Sequence, residues 1–287
     1  MRDQADRLRQ MMASAKQRPK GARVVTITSG KGGVGKSSFT LNFAIALSRR
    51  GYRVLIIDAD FGLANIDVMS AVNPKHDLSS VLRRQKRLRD IITAGPVGVS
   101  IISGGSGVSE LLRMNEYQLE RIMGELMQLD DVADIILFDT GAGISANILR
   151  LVRSSNEVIL VTTPEPTAIM DAYALLKTVS QMEYGCRIRL IVNKVDTPQE
   201  ASTTQQNLER ASGAYLGMAI ESLGSIPNDP TVVRAVKEQV PFMVAHPTGA
   251  AAQGMDAVVR RFLELPEETE RRGMRRFLDF FFSRRAR

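Results

Sequence analysis

A single run of eight residues, Gly30-Lys31-Gly32-Gly33-Val34-Gly35-Lys36-Ser37, carries most of the chemistry legible in this chain. It satisfies the spacing G-x-x-x-x-G-K-[ST] of a phosphate-binding loop. Glycines at these places let the backbone fold tightly and aim its N–H groups at phosphate oxygens. A helix opening behind the loop adds partial positive charge. Lys36 then falls at the β- and γ-phosphates and Ser37 at magnesium. The nucleotide-binding set is Gly30, Lys31, Gly32, Gly33, Val34, Gly35, Lys36, Ser37 and Ser38.

Such a loop needs a strand before it and a helix after it. Val24-Val25-Thr26-Ile27-Thr28 reads as a buried strand, and the stretch from Ser38 to Arg50 places Phe39, Phe43 and Leu47 at helical spacing. Two further strand-like runs end in carboxylates. Leu55-Ile56-Ile57 leads to Asp58 and Asp60, with Gly62, Asn65 and Asp67 beyond, and 135–138 leads to Asp139, Thr140 and a glycine turn at 141–143. Strands are expected near residues 23–28, 53–58, 98–102, 134–139, 157–162, 187–193 and 222–226. Helical patterns fall at 37–50, 115–129, 144–154, 166–182, 199–216, 230–239 and 248–264. The strands are rich in Val, Ile and Leu without strict alternation, as in sheets covered on both faces. This rhythm predicts an α/β fold: a doubly wound, mostly parallel sheet with helices on both faces.

Composition narrows the class. The chain has 287 residues, 44% hydrophobic, enough for a sizeable core. No apolar run is long enough to span a bilayer and no signal-peptide pattern is visible, so a cytoplasmic location is expected. The one cysteine, Cys186, offers neither an internal disulfide nor a metal cluster, and His76 and His246 are isolated. The net charge of +7 is uneven. Residues 1–20 are net +4 and residues 271–287 net +6, which leaves the 250 residues between at −3. A mildly acidic body argues against a basic DNA-binding face, and the basic tips argue for anionic partners.

The second lysine, Lys31, makes this loop resemble the deviant Walker A motif of the MinD/ParA family of dimerising ATPases. The resemblance implies an ATP-bound homodimer in which Lys31 reaches the partner subunit's nucleotide. Asp60 would orient the attacking water, so Lys31, Lys36 and Asp60 are its catalytic residues. Ser37, Asp58 and Asp139 are the candidate magnesium ligands, Asp139 acting through water. ATP/ADP and Mg2+ are the implied cofactors. Ile191-Val192-Asn193-Lys194-Val195-Asp196 spells N-K-x-D, with which GTPases read guanine. The family resemblance instead sets Asn193 against adenine, joined by the loop Ile226-Pro227-Asn228-Asp229, with Pro227 and Asp229 as contacts. ATP is therefore expected over GTP.

Both ends point to one branch of that family. Asp3-Gln4-Ala5-Asp6-Arg7-Leu8-Arg9 resembles the D-Q-A-x-x-L-R motif of the FlhG (YlxH, FleN) type of flagellar number regulators. The stretch from Thr162 to Tyr173 is similar to that type as well. The motif implies that Asp3, Gln4, Ala5, Leu8 and Arg9 bind the SRP-type GTPase FlhF and that Gln4 stimulates its hydrolysis. Flagellar basal-body or regulatory proteins are possible further partners, and no specific nucleic acid is expected.

At the other end, Met274, Phe277, Leu278, Phe280, Phe281 and Phe282 share one side of a helical wheel, with Arg272, Arg275, Arg276, Asp279 and Ser283 opposite. This is the pattern of a helix lying in a membrane interface. Three segments are thus expected: 1–20, the FlhF-binding activator; 21–265, the ATPase domain; and 266–287, a hinge at Leu265-Pro266-Glu267-Glu268 and a membrane-targeting helix. A ParA-type DNA-partition ATPase is the main alternative, distinguished by a basic face on the body. A P-loop small-molecule kinase or ligase is another, needing neither Lys31 nor an amphipathic tail.

Overall fold

The computed structural model describes residues 21–60, 65–104, 124–182, 186–264, 273–274, 277–278 and 281. The activator segment 1–20, with Asp3, Gln4, Ala5, Leu8 and Arg9, lies outside the described residues, as do Phe280 and Phe282. Eight strands form one sheet: β1 (Arg23–Ser29), β2 (Val54–Ala59), β3 (Thr93–Ala94), β4 (Ser100–Ser103), β5 (Ile135–Ala142), β6 (Glu157–Thr162), β7 (Arg187–Val195) and β8 (Glu221–Pro227). Their order is β3-β4-β2-β5-β1-β6-β7-β8. Every pairing is parallel except the short edge pair β3–β4. The expected doubly wound sheet is therefore present, with one antiparallel edge strand of two residues that was too short to leave a pattern.

Alternation along each central strand sorts its side chains between two covers. On one face Val25, Ile27, Ile56, Leu137, Ile159 and Ile191 pack with helix α1 (Lys36–Ser48) and the helix Ala250–Glu264. On the other, Val24, Leu55, Ile57, Ile136 and Phe138 form one cluster and Val158, Leu160, Leu190 and Val192 another. The helices Ala146–Ser154 and Pro166–Ser180 contribute Leu151 to the first of these clusters, and Ile148, Val152, Leu175 and Leu176 to the second. Since strands run in register from β2 through β5 to β1, the C-terminal ends of all three meet at one edge of the sheet, where the phosphate loop begins.

The opposite ends of the strands hold a buried charge cluster. Glu157 on β6 pairs with Arg23 on β1 and, at 2.7 Å, with Nη1 of Arg189 on β7. Arg23 lies 3.6 Å above the ring of Phe262. Burial pulls the Arg189 guanidinium below its ordinary value, with Glu157 opposing that shift. Glu157→Ala would remove the buried carboxylate shared by both cations and leave Arg189 the half-exposed Glu221 at 3.6 Å. It is expected to cost about 3–5 kcal/mol, read as a fall in the urea midpoint at unchanged slope.

Five residues of the C-terminal segment are described, and the expected hinge at 265–268 lies outside the described residues. A hinged extension was expected at 266–287, yet Met274, Phe277, Leu278 and Phe281 are buried in the same cluster as Ile57, Leu88, Leu126 and Phe138. Phe277 stacks on Phe138 at 4.7 Å and on Phe281 at 5.5 Å. The Met274 N–H donates to both carboxylate oxygens of Asp130, which also accepts from Ala22 N–H. An apolar stripe in water takes the nearest apolar groove, and the body provides one.

Candidate functional site

The phosphate loop spans the turn from β1 into α1. Gly33 and Gly35 have φ of 79° and 87°, which L side chains rarely adopt. Close approach also fixes two glycines: a Cβ on Gly30 would lie 2.3 Å from the Asp171 backbone, and one on Gly35 would lie 2.4 Å from Asn193 Nδ2. Gly35 caps α1, so the first free N–H groups of that helix open onto the loop.

Behind the loop sit the acidic strand ends. Asp139 is fully buried, and its Oδ1 accepts from Lys36 Nζ at 2.9 Å and from Thr40 Oγ1 at 2.7 Å. Its Oδ2 is buried with no hydrogen-bond partner among the described residues. Lys36 Nζ also lies 3.3 Å from Ser37 Oγ. Asp58 is pushed up to about 7, first by burial and then by the neighbouring charge of Asp139, against hydrogen bonds from the N–H groups of Asp60 and Ile66. Asp60 is raised by burial too, an effect opposed by Lys36, and accepts from Asn65 Nδ2 at 3.3 Å. Its Oδ1 would touch a Cβ placed on Gly141, so the glycine turn after β5 makes room for it.

This set fits magnesium. Asp139 Oδ2 is an orphaned buried acceptor, Ser37 supplies a hydroxyl at the loop, and Asp58 and Asp139 crowd two carboxylates where one cation is short. Lys36 Nζ is the cation that lies against Asp139, at 2.9 Å. The expected ligands Ser37, Asp58 and Asp139 are therefore brought together, as are Lys36 and Asp60.

Lys31 points elsewhere. Its Nζ donates to Glu165 Oε2 at 2.9 Å and Thr167 Oγ1 at 2.7 Å, both at the start of the helix Pro166–Ser180. The Lys31 ammonium holds the Glu165 carboxyl below its usual range. The lysine is half exposed on the face from which the loop opens, parked rather than buried in its own loop. Glu165 and Thr167 were missed in sequence. The only signal was the Thr-Thr-Pro-Glu-Pro-Thr run at 162–167, which says nothing of a partner 136 residues away.

The base end is lined by Gly35, Ser38, Phe39, Asn193, Pro227 and Asn228, with Met255 at its floor. Asn193 Nδ2 donates to Val34 O at 2.7 Å, and Lys194 Nζ to Gly33 O at 2.8 Å, so β7 braces the loop directly. Asp229 lies in the expected loop, but its carboxylate is occupied. It caps the helix Pro230–Lys237 through Thr231 and accepts from Ala251 N–H, bonds that lower its pKa. It lines the pocket beside Pro227 and Asn228 while holding these three bonds. Asp196 Oδ1 already accepts from Asn228 Nδ2 at 2.8 Å. Asp196 is not among the residues that line this pocket, whereas Asn193 is, and ATP is expected to bind more tightly than GTP. Calorimetric titration of both nucleotides checks this; tighter GTP binding would contradict it.

Comparison with known proteins agrees with this geometry. Residues 25–242 match the CobQ/CobB/MinD/ParA nucleotide binding domain. The chain is 35% identical over 262 residues to the antiactivator FleN of Pseudomonas aeruginosa, covering 91% of this chain and 92% of that protein. It is 33% identical to the flagellum site-determining protein YlxH of Helicobacter pylori, with 90% of each chain covered. In fold it is similar to the septum site-determining protein MinD from Pyrococcus horikoshii complexed with Mg-ADP. That match has a TM-score of 0.68 at 24% identity, over 85% of this chain and 96% of that one.

Proposed function

The chain belongs to the MinD/ParA family of nucleotide-binding ATPases, as an FlhG-type member, and on that premise we propose that it is an ATP-driven dimerisation switch acting in flagellar number and placement. The observation that carries the switch is Lys31. It lies inside the phosphate loop yet is held outward by Glu165 and Thr167, where a partner's nucleotide could claim it.

ATP binding replaces the Lys36–Asp139 pair by Lys36 on the β- and γ-phosphates, with the amides of Gly32, Gly33 and Gly35 around them. Ser37, Asp58 and Asp139 would hold magnesium, Asp139 through water, and the ion when bound would supply charge neutralisation at the phosphates. Lys31 then leaves Glu165 for the partner's nucleotide, so two ATP molecules lie between two subunits. Asp60 orients the water that attacks the γ-phosphorus, with the β–γ bridging oxygen leaving toward ADP. Hydrolysis removes what Lys31 binds in trans, and the dimer separates.

The tail reports this state to the membrane. In the single chain Met274, Phe277, Leu278 and Phe281 of the stripe are housed by the body's own groove. Leaving that groove forfeits roughly 1.5–3 kcal/mol per buried side chain, and a lipid interface returns part of that. A near balance of this kind is what a modest signal can tip. Two tails on one dimer then act with a high effective concentration for the second. On this reading the protein gathers at the cytoplasmic face of the membrane while it holds ATP. The names of its relatives, an antiactivator and a flagellum site-determining protein, support regulatory partners of flagellar assembly.

The segment 1–20 is proposed to stimulate the GTPase FlhF. Gln4→Ala should leave ATP and vesicle binding intact while lowering FlhF stimulation by at least tenfold, because one glutamine supplies the activating contact. The assay is GTP turnover by the cognate FlhF with intact protein, with the Gln4→Ala protein, with the peptide 1–20, and with protein lacking 1–20. Equal stimulation by the truncated protein would remove this role.

A further inference from the structure

The body is net acidic, but one short stretch of it is not. Residues 83–89 read Arg-Arg-Gln-Lys-Arg-Leu-Arg, five cations and no acid. The first four residues turn out of the helix Leu78–Leu82, and Leu88 opens a 3-10 turn that ends at Ile91. The loop is held in place. Arg84 N–H donates to Val81 O, Gln85 N–H to Ser80 O, and Leu88 N–H to Glu125 Oε2 at 2.7 Å. Arg84 takes a φ of 65°, a conformation kept only where surroundings impose it.

Its side chains divide cleanly. Leu88 and Ile91 are each 2% exposed and belong to the apolar cluster that houses Met274, Phe277, Leu278 and Phe281. Arg84, Lys86, Arg87 and Arg89 are exposed, and none of them forms an ion pair with a described residue. A fixed array of cations thus borders the groove that holds the apolar stripe of the tail.

We propose that the loop 83–89 is a second membrane-contact element, meeting anionic phospholipid headgroups beside the C-terminal tail. The proposal rests on the reading of the tail as a membrane helix. Two observations select lipid as the partner. Five cations fall within seven residues against one neighbouring exposed carboxylate, Asp90, which accepts from the Arg87 N–H, and this excess selects an anionic surface. Leu88 and Ile91 anchor the loop in the cluster that also holds Met274, Phe277, Leu278 and Phe281, so its cations lie beside the segment read as the membrane helix, where anionic headgroups would meet both. The loop gives the protein a standing, weak attraction to the leaflet before the tail leaves its groove.

The test uses full-length protein with ATP and vesicles of phosphatidylcholine with or without phosphatidylglycerol. A basic residue near an anionic leaflet is worth roughly fivefold in binding, so Arg84→Gln/Lys86→Gln/Arg89→Gln should weaken association with the anionic vesicles on the order of a hundredfold. Binding to pure phosphatidylcholine and ATP turnover in solution should stay unchanged, and the salt dependence of vesicle binding should flatten. If the triple variant binds anionic vesicles like the parent while protein lacking 273–287 does not, the loop inference falls and the tail reading stands. If the parent binds neither vesicle, both fall. If the triple variant loses retention of duplex DNA in a gel while keeping vesicle binding, the loop is a nucleic-acid surface and the proposal is overturned.

Discussion

Asp60→Ala is expected to cut ATP turnover by about 10²–10³-fold while an ATP-bound dimer accumulates. Asp60 stands at the end of β2 beside Asp139 and Lys36, oriented by Asn65 and accommodated by Gly141. It touches none of the loop amides that would hold phosphate, so nucleotide binding should survive its loss. What is lost is the orientation of water in the transition state, an effect of that size for a positioned acid or base. Lys31→Ala should do the reverse. Its own loop keeps Lys36 and the amides of Gly32, Gly33 and Gly35, so ATP still binds, but the contact across the interface is gone. Light scattering with ATP separates the two variants. A dimeric Lys31→Ala protein, or an Asp60→Ala protein with normal turnover, would remove these roles.

Phe277→Glu with Phe281→Glu should abolish vesicle binding, and it should do more than that. Both rings are nearly fully buried, and Phe277 lies flat against Phe138. Two carboxylates cannot remain in an apolar groove at neutral pH, since each costs several kcal/mol without a partner. The tail must therefore leave. The four buried side chains together contribute on the order of 6–12 kcal/mol as an upper bound, part of which offsets the entropy of ordering the segment. The double variant should show a lower thermal midpoint and bind an apolar dye at the groove left open around Leu88, Leu126 and Phe138. ATP turnover in dilute solution should stay within about twofold, because the phosphate loop and its helix pack through Val34 and Phe39 in the cluster on the other face of the sheet. Retained flotation with vesicles, or an unchanged thermal midpoint, would contradict the account of this segment.

How much of this was legible beforehand follows from how local each feature is. The phosphate loop is written in eight adjacent residues, and its strand and helix flank it directly, so sequence sufficed. The strands of the parallel sheet were legible because burial on both faces makes them uniformly apolar. The short helices Asn65–Met69, Leu78–Leu82 and Phe242–Ala245 were missed, being too brief to show a period. The Lys36–Asp139 pair joins residues 103 apart and depends on β5 lying next to β1, which no spacing reveals. Lys31 could be singled out, but its parking on Glu165 and Thr167 could not, for the same reason. Asp229 was chosen for its place in a loop, while its use as a helix cap depends on Thr231 and on Ala251 folding back against it. The tail is the instructive case. A stripe of Met, Leu and Phe opposite arginine satisfies a lipid surface and an apolar groove equally, and only the groove's existence decides where it rests in water. The basic loop at 83–89 escaped notice because a net charge of −3 averaged over the body conceals five cations within seven residues.

The central claim is that nucleotide state sets membrane residence through the dimer. Vesicle co-sedimentation measures it directly, with full-length protein and protein lacking 273–287, each with ATP, with ADP and with no nucleotide. The account predicts that only full-length protein with ATP pellets with the vesicles, and that Lys31→Ala protein stays in the supernatant under every condition. Equal pelleting with ADP, or pelleting of the tail-deleted protein, would contradict it.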